Sequence, residues 1–289
     1  MARRLYPMTR EPVMAGVPTA RSAPCAQTCL YYTMTRMNVI AVRALALSCL
    51  ASSAACGAAP QRLGVCAAAS LKAAFERVDQ DFSAARDGLQ VDLNSAGSQA
   101  LKAQVEAGAP CDVIATADLA TMDALVKSGH VGAPQRFASN SLVILVPSAN
   151  PANIATWQDL ARASRIALAA PEVPVGKYAR KFLANADAVQ PGYAAAVNER
   201  VKTLELDVAH VVTRIRLGEV DAAIAYRTDA TGDGVKAIAL PPELDVAADY
   251  PIAVVTRSPV PELASAFVAH VLAAGQKTLA DKGFGGPRP

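Results

Sequence analysis

From Leu63 onward the chain alternates short apolar runs with stretches of helical spacing, and this alternation is what most limits the folds open to it. Leu63 to Ala69 is the first run. Leu71, Ala74, Phe75, Val78 and Phe82 then mark the apolar face of a helix whose other face carries Lys72, Glu76, Arg77 and Asp79. Leu89 to Leu93 alternates as a strand, Asn94-Ser95-Ala96-Gly97-Ser98 breaks it, and Leu101 to Ala107 resumes helical spacing. Gly108-Ala109-Pro110 stops that helix, Asp112 to Ala117 reads as a buried strand, and Asp118 caps a helix that ends near Gly129. A β-α-β-α-β-α order predicts a mostly parallel sheet with helices on both faces.

The second half repeats the theme. Ser141 to Pro147, Arg165 to Ala169, Asp221 to Ala225, Val235 to Leu240 and Tyr250 to Val255 read as strands. Lys177 to Leu183 and Val208 to Leu217 read as helices, with Asp207 as an N-cap, and Val260 to Leu272 and Gln276 to Lys282 as terminal helices. Phe137 to Asn140 and Asp249 to Pro251 are candidate crossings to and from a second lobe. The expected organisation is a leader at 1–60, one lobe from 61–138 plus 251–289, and a second lobe at 139–250. A small-molecule site then falls in the cleft between lobes.

Strand-to-helix corners are where chemistry is expected. Ala67-Ala68-Ala69-Ser70-Leu71 combines small residues, which permit close approach to the backbone, with a hydroxyl beside unpaired helical N–H groups. Such a corner suits an anion, although Ser70 also fits an ordinary helix cap. Ser98, the Pro174-Val175-Gly176 turn and the Asp207-Val208 junction are further corners.

Charge narrows the partners. Residues 1–56 hold six arginines and one acid, Glu11, so the remainder carries 22 basic and 24 acidic residues, which gives nucleic-acid binding no support. Met37 to Cys56 has the order of a secretory signal: Arg43, the apolar run Ala44 to Leu50, then small residues. That run is too short for a bilayer-spanning helix. Ser53-Ala54-Ala55-Cys56 fits a lipoprotein processing site with Cys56 acylated, and equally plain cleavage. Cys66 and Cys111 are the cysteines of the body; they read as buried thiols, with a disulfide as the alternative, and neither has zinc-site spacing. His130, His210 and His270 sit in no hydrolase or metal motif.

Taken together, Ala67 to Leu71, Val105-Glu106-Ala107-Gly108-Ala109-Pro110-Cys111-Asp112-Val113, Asn140-Ser141-Leu142-Val143, Pro171-Glu172 with Gly176-Lys177-Tyr178-Ala179, and Tyr250-Pro251-Ile252-Ala253-Val254 resemble the periplasmic molybdate-binding proteins of ABC transporters. The resemblance runs from about Arg62 to Phe284 and implies a two-lobed α/β periplasmic-binding-protein fold of type II. It also implies an oxyanion, molybdate or tungstate, held between the lobes without metal or cofactor. Carried over by position, Ser70 and Ser98 are hydroxyl and N–H donors of the first lobe, Val175 and Val208 give backbone N–H groups from the second, and Tyr226 donates its phenol. The stretch before Gly176 is one residue shorter than in the family, and Ala209 and His210 follow Val208 where the family has a polar or basic residue and then a small one.

The resemblance implies further a monomer outside the cytoplasm that serves a permease and meets the membrane only through a lipid anchor at Cys56. A dianion that offers only acceptors suits neutral donors and helix N-termini. Sulfate, phosphate or an organic acid in the same fold is the alternative ligand class; an organic carboxylate calls for an arginine fork that no corner supplies. An enzyme with Ser70 as nucleophile ranks last, because no base and no Gly-x-Ser-x-Gly elbow accompanies it.

Overall fold

The computed structural model describes residues 61–288, so the signal and acylation readings, including Cys56, lie outside the described residues. Two five-stranded sheets, each flanked by helices, organise them. The first lobe begins β1 (Gln61–Ala68), α1 (Lys72–Ala84), β2 (Leu89–Ala96), α2 (Ser98–Ala107), β3 (Val113–Ala115), α3 (Leu119–Lys127) and β4 (Gln135–Asn140). The chain then forms β5 (Leu142–Pro147), β6 (Ile166–Ala169), α4 (Pro174–Val189), α5 (Tyr193–Asn198), β7 (Val201–Glu205), α6 (Val208–Arg216), β8 (Ala222–Tyr226) and β9 (Val235–Ala239). It returns through β10 (Ala248–Val254) to α7 (Pro261–Leu272) and α8 (Gly275–Asp281). Among the described residues no helix is long and apolar enough to cross a membrane.

Strand order is β2-β1-β3-β10-β4 in one sheet and β7-β6-β8-β5-β9 in the other. The βαβ units pair in parallel as expected: β1 with β2 and β3, β6 with β7 and β8. The crossing strands run the other way, β10 against β3 and β4 and β5 against β8 and β9, so each sheet is mixed. Only Ser141 separates β4 of one sheet from β5 of the other, and β10 rejoins the first sheet at Ala248. The sheets therefore change two residues later, and return a few residues earlier, than the lobe limits expected from sequence.

In the first lobe, Phe75, Phe82, Phe137 and Phe267 pack edge to face or tilted beneath the sheet, with neighbouring centroids 5.1–6.2 Å apart. In the second, Trp157 and Phe182 close on Tyr193. The apolar faces read from sequence on α1 and α6 are buried. Asp79, read on the polar face of α1, is buried with them because it follows Phe75 by one turn, which corrects that position. Cys66 and Cys111 are joined as a disulfide, their Cα atoms 6.0 Å apart, which corrects the buried-thiol reading. The reason is topological: parallel pairing of β1 with β3 brings the residue entering β3 beside β1.

Candidate functional site

Four chain turns converge where the lobes meet. In the first lobe β1 ends at Ala68 and the chain tightens through a 3-10 turn at Ala69–Leu71 into α1. Neither Ala68 nor Leu71 supplies a side-chain cap, and Ser70 does not cap the helix; its Oγ lies 3.1 Å from Tyr250 Oη. Gly97 precedes α2 without a side-chain cap, which puts Ser98 at the first helical position. In the second lobe Pro174 opens α4, a position that needs no N–H, so the first N–H of that helix belongs to Val175. Asp207 caps α6 by accepting from His210 N at 3.0 Å, as its sequence position predicts, and Val208 is the first helical residue.

These turns border one small, partly open cavity of about 10 Å³, and Ser70, Ser98, Val175, Val208 and Tyr226 all line it. The space suits a single compact occupant. Two helix N-termini from the second lobe and one from the first face it, each contributing N–H groups without intrahelical partners. A larger open groove of about 810 Å³ runs past Arg62, Asp92, Asp112 and Arg257, near the start of β1, and contains none of the five. Among the described residues no group of histidine, cysteine, aspartate or glutamate could hold a metal ion.

The hydroxyls of Ser98 and Tyr226 keep hydrogens to donate to the cavity. Ser98 is buried, and its Oγ accepts from Ala117 N at 3.0 Å, leaving its own hydrogen free. Tyr226, at the end of β8, is 1% exposed, yet its hydroxyl has no hydrogen-bond partner within the protein. Burial pushes the Tyr226 phenol well above its ordinary pKa, with the neighbouring Tyr250 adding to the shift, so it stays protonated. Asp207 is the carboxylate on the cavity wall, and its Oδ1 is engaged by its own helix.

Two bonds close the lobes beside this cavity, and neither was apparent in the sequence. Lys177 Nζ of α4 meets Asp118 Oδ2, the buried cap of α3, at 2.7 Å. Gln99 Nε2 of α2 donates to Leu206 O at 2.7 Å. Gly97 lies at the same seam, where a Cβ would stand 2.7 Å from Leu206 O, so the approach of the lobes requires glycine. Gly176 is similarly confined, its absent Cβ falling 2.0 Å from Ala170 O. Lys177 lies two residues beyond Val175 and Asp118 follows Ala117, but only folding reveals that they face each other across 59 positions.

Known proteins share this architecture. The family model of bacterial extracellular solute-binding proteins matches residues 63–285. A molybdate-binding protein ModA of Mycobacterium tuberculosis is 35% identical over 228 residues, covering 77% of this chain and 84% of the relative. Among solved structures, the periplasmic molybdate-binding protein of Azotobacter vinelandii aligns with a TM-score of 0.66 at 21% identity, over 78% of this chain and all of that one. The sulfate-binding protein SubI of Mycobacterium tuberculosis aligns with a TM-score of 0.68 at 24% identity, over 78% of this chain and 86% of that one. At such identities the two structures speak for the fold alone.

Proposed function

The chain belongs to the bacterial extracellular solute-binding proteins, among the ModA relatives, and on that premise we propose that it captures molybdate or tungstate between its lobes and delivers it to an ABC permease. The observation that carries this reading is the Tyr226 hydroxyl, buried in the cavity with no partner in the protein. A buried hydroxyl left unpaired costs about 1–3 kcal/mol, a cost that an oxyanion accepting its hydrogen removes.

The donor set fits a tetrahedral dianion. Ser70 and Ser98 give hydroxyls from the first lobe, Val175 and Val208 give backbone N–H groups, and Tyr226 gives its phenol; all five line the cavity. Each hydrogen bond to a charged group contributes about 1.5–3 kcal/mol, so five donor positions reach micromolar affinity or better after ordering costs. No arginine or lysine lines the cavity, which disfavours an organic carboxylate and eases release. The family is one of binding proteins, and the site performs no bond chemistry: Ser70 faces a phenol rather than a base.

Closure follows the ligand in this reading. The lobes turn about the two crossings near Ser141 and Ala248, and the Lys177–Asp118 and Gln99–Leu206 bonds form as they meet. The closed monomer, outside the cytoplasm and tethered through Cys56 if acylated, presents the face that a permease recognises. Calorimetric titration of the purified protein with molybdate, tungstate, sulfate and phosphate tests the proposal. Heat with the first two is expected; silence with both overturns it.

A further inference from the structure

We infer that Tyr250, oriented by Asn140, is a positioning residue that fixes Ser70 as a hydrogen-bond donor and thereby sets a preference for oxyanions that carry no hydrogen. The inference rests on reading the cavity as an oxyanion site. It begins at the crossing between lobes, where Ser141 N donates to Asn140 Oδ1 at 3.0 Å. That bond turns the Asn140 amide so that its NH2 faces Thr228 Oγ1 at 2.8 Å and Tyr250 Oη at 3.4 Å. An amide NH2 has hydrogens to give and no lone pair to offer. Tyr250 Oη is therefore an acceptor toward Asn140.

Tyr250 lies on β10, fully buried, and its remaining hydroxyl partner is Ser70 Oγ at 3.1 Å. If Tyr250 accepted from Ser70 as well, its own hydrogen would be buried without a partner, which folded proteins avoid. Donation from Tyr250 to Ser70 gives the Asn140 NH2 and the Tyr250 hydroxyl a partner for each of their hydrogens. Ser70, having accepted, keeps its single hydrogen free, and of the two cavities it lines, the one shared with Ser98 and Tyr226 is where an oxyanion would accept it. Ser98 is prepared in the same way, because its Oγ already accepts from Ala117 N. Both first-lobe hydroxyls thus present hydrogens rather than lone pairs.

The selectivity follows from hydrogen counting. Molybdate, tungstate and sulfate at neutral pH offer only acceptors, whereas hydrogen phosphate carries an O–H that needs one. A relay that holds Ser70 as a donor removes one such acceptor, leaving on the wall the Asp207 carboxylate, whose Oδ1 is already engaged by His210 N. Without the Tyr250 hydroxyl, Ser70 can rotate and present a lone pair, so binding of the pure acceptors weakens while hydrogen phosphate gains.

A double-mutant cycle on the purified protein tests this by calorimetric titration with molybdate, tungstate, sulfate and hydrogen phosphate at pH 7.5. Tyr250→Phe is expected to weaken binding of the hydrogen-free anions by roughly fivefold to tenfold and to narrow their margin over phosphate, the loss of about one hydrogen bond. Because Tyr250 acts through Ser70, the Ser70→Ala/Tyr250→Phe double variant should bind within about twofold of Ser70→Ala alone. Additive losses, unchanged binding by Tyr250→Phe, or a parent protein that takes phosphate as tightly as molybdate overturns the inference.

A parent protein that binds sulfate and ignores molybdate overturns the molybdate reading, while the same cycle run with sulfate still decides the relay. Failure to bind any of the four overturns both. Should Tyr250→Phe not fold, Asn140→Asp serves instead: the new carboxylate draws the Tyr250 hydrogen and reverses the relay. Its loss should be larger with Ser70 present than in the Ser70→Ala background, and equal losses overturn the inference.

Discussion

The two lobes reach the same cavity by different means. The first presents side-chain hydroxyls already engaged by neighbours, Ser98 by Ala117 N and Ser70 by Tyr250. The second presents helix N-termini and a phenol that has no partner at all. In the proposed reading one face is prepared before an oxyanion arrives, and the other would be completed by it. Stability and affinity should accordingly be linked in the first lobe and opposed in the second.

The largest expected effect separates the lobes directly. The Ser98→Ala/Tyr226→Phe pair should lose about 3–6 kcal/mol of oxyanion affinity, more than a hundredfold, as two charge-accepting donors disappear. The single variants sharpen the contrast. Ser98→Ala should also lower unfolding stability by about 1–3 kcal/mol, since Ala117 N is left buried without an acceptor, whereas Tyr226→Phe should keep or raise stability in the absence of ligand. Thermal unfolding and calorimetry on the same samples give both numbers; equal stability changes in the two variants would break the comparison.

Next in size is the disulfide of the first lobe. Cys66 and Cys111 close a loop of sequence separation 45, and their replacement by alanine should cost about 2–5 kcal/mol of stability with little change in affinity. Reductant should lower the melting temperature of the parent protein and leave the variant unmoved. A comparable effect comes from Asp79 on α1, whose carboxylate oxygens are buried without partners and whose pKa is pushed up to about 7, chiefly by burial and then by Glu76. A raised carboxyl pKa favours the folded state when protonated. Its contribution is full below about pH 4 and is lost as pH rises through 7. The protein should therefore melt higher at pH 5 than at pH 8, and Asp79→Asn should recover roughly 4 kcal/mol at pH 8 and reduce the slope. The rest of the slope comes from buried Asp229, whose pKa is likewise pushed up to about 7, chiefly by burial.

The smallest effect tests the seam. Lys177→Ala removes the partner of buried Asp118 across the lobes and should weaken anion binding by about tenfold or less, mainly through faster release. Stopped-flow dissociation should show it. Unchanged release rates would mean that closure does not depend on this pair.

Much of the fold was legible because strands buried on both faces and amphipathic helices carry their periodicity locally. β1 from Leu63 onward, β5 and β8 are continuous apolar runs, and α1, α4 and α6 have one apolar face each. β4 and β7 were not predicted, and both are edge strands. Lys202 and Thr203 in β7, and Gln135 and Arg136 in β4, interrupt any apolar run because an edge strand packs on fewer neighbours. Short α5 likewise offers too few turns for a clear period.

The sequence by itself determined the corners. Small residues ending a strand, a serine or aspartate at a helix start, and Pro174 at the first turn are local signals that brought the corners at Ser70, Ser98, Val175 and Val208 forward, while the family resemblance added Tyr226 and joined the five as one candidate set. Tertiary structure decided what those residues do there. Ser70 fits a helix cap in sequence, and only a contact 180 residues away, to Tyr250, turns its hydroxyl into part of a relay. The same holds for the bonding of Cys66 to Cys111 and for Lys177 meeting Asp118. Periodicity encodes which face of an element is buried, whereas the partner on that face is set by how strands are ordered in the sheet and how the two lobes meet.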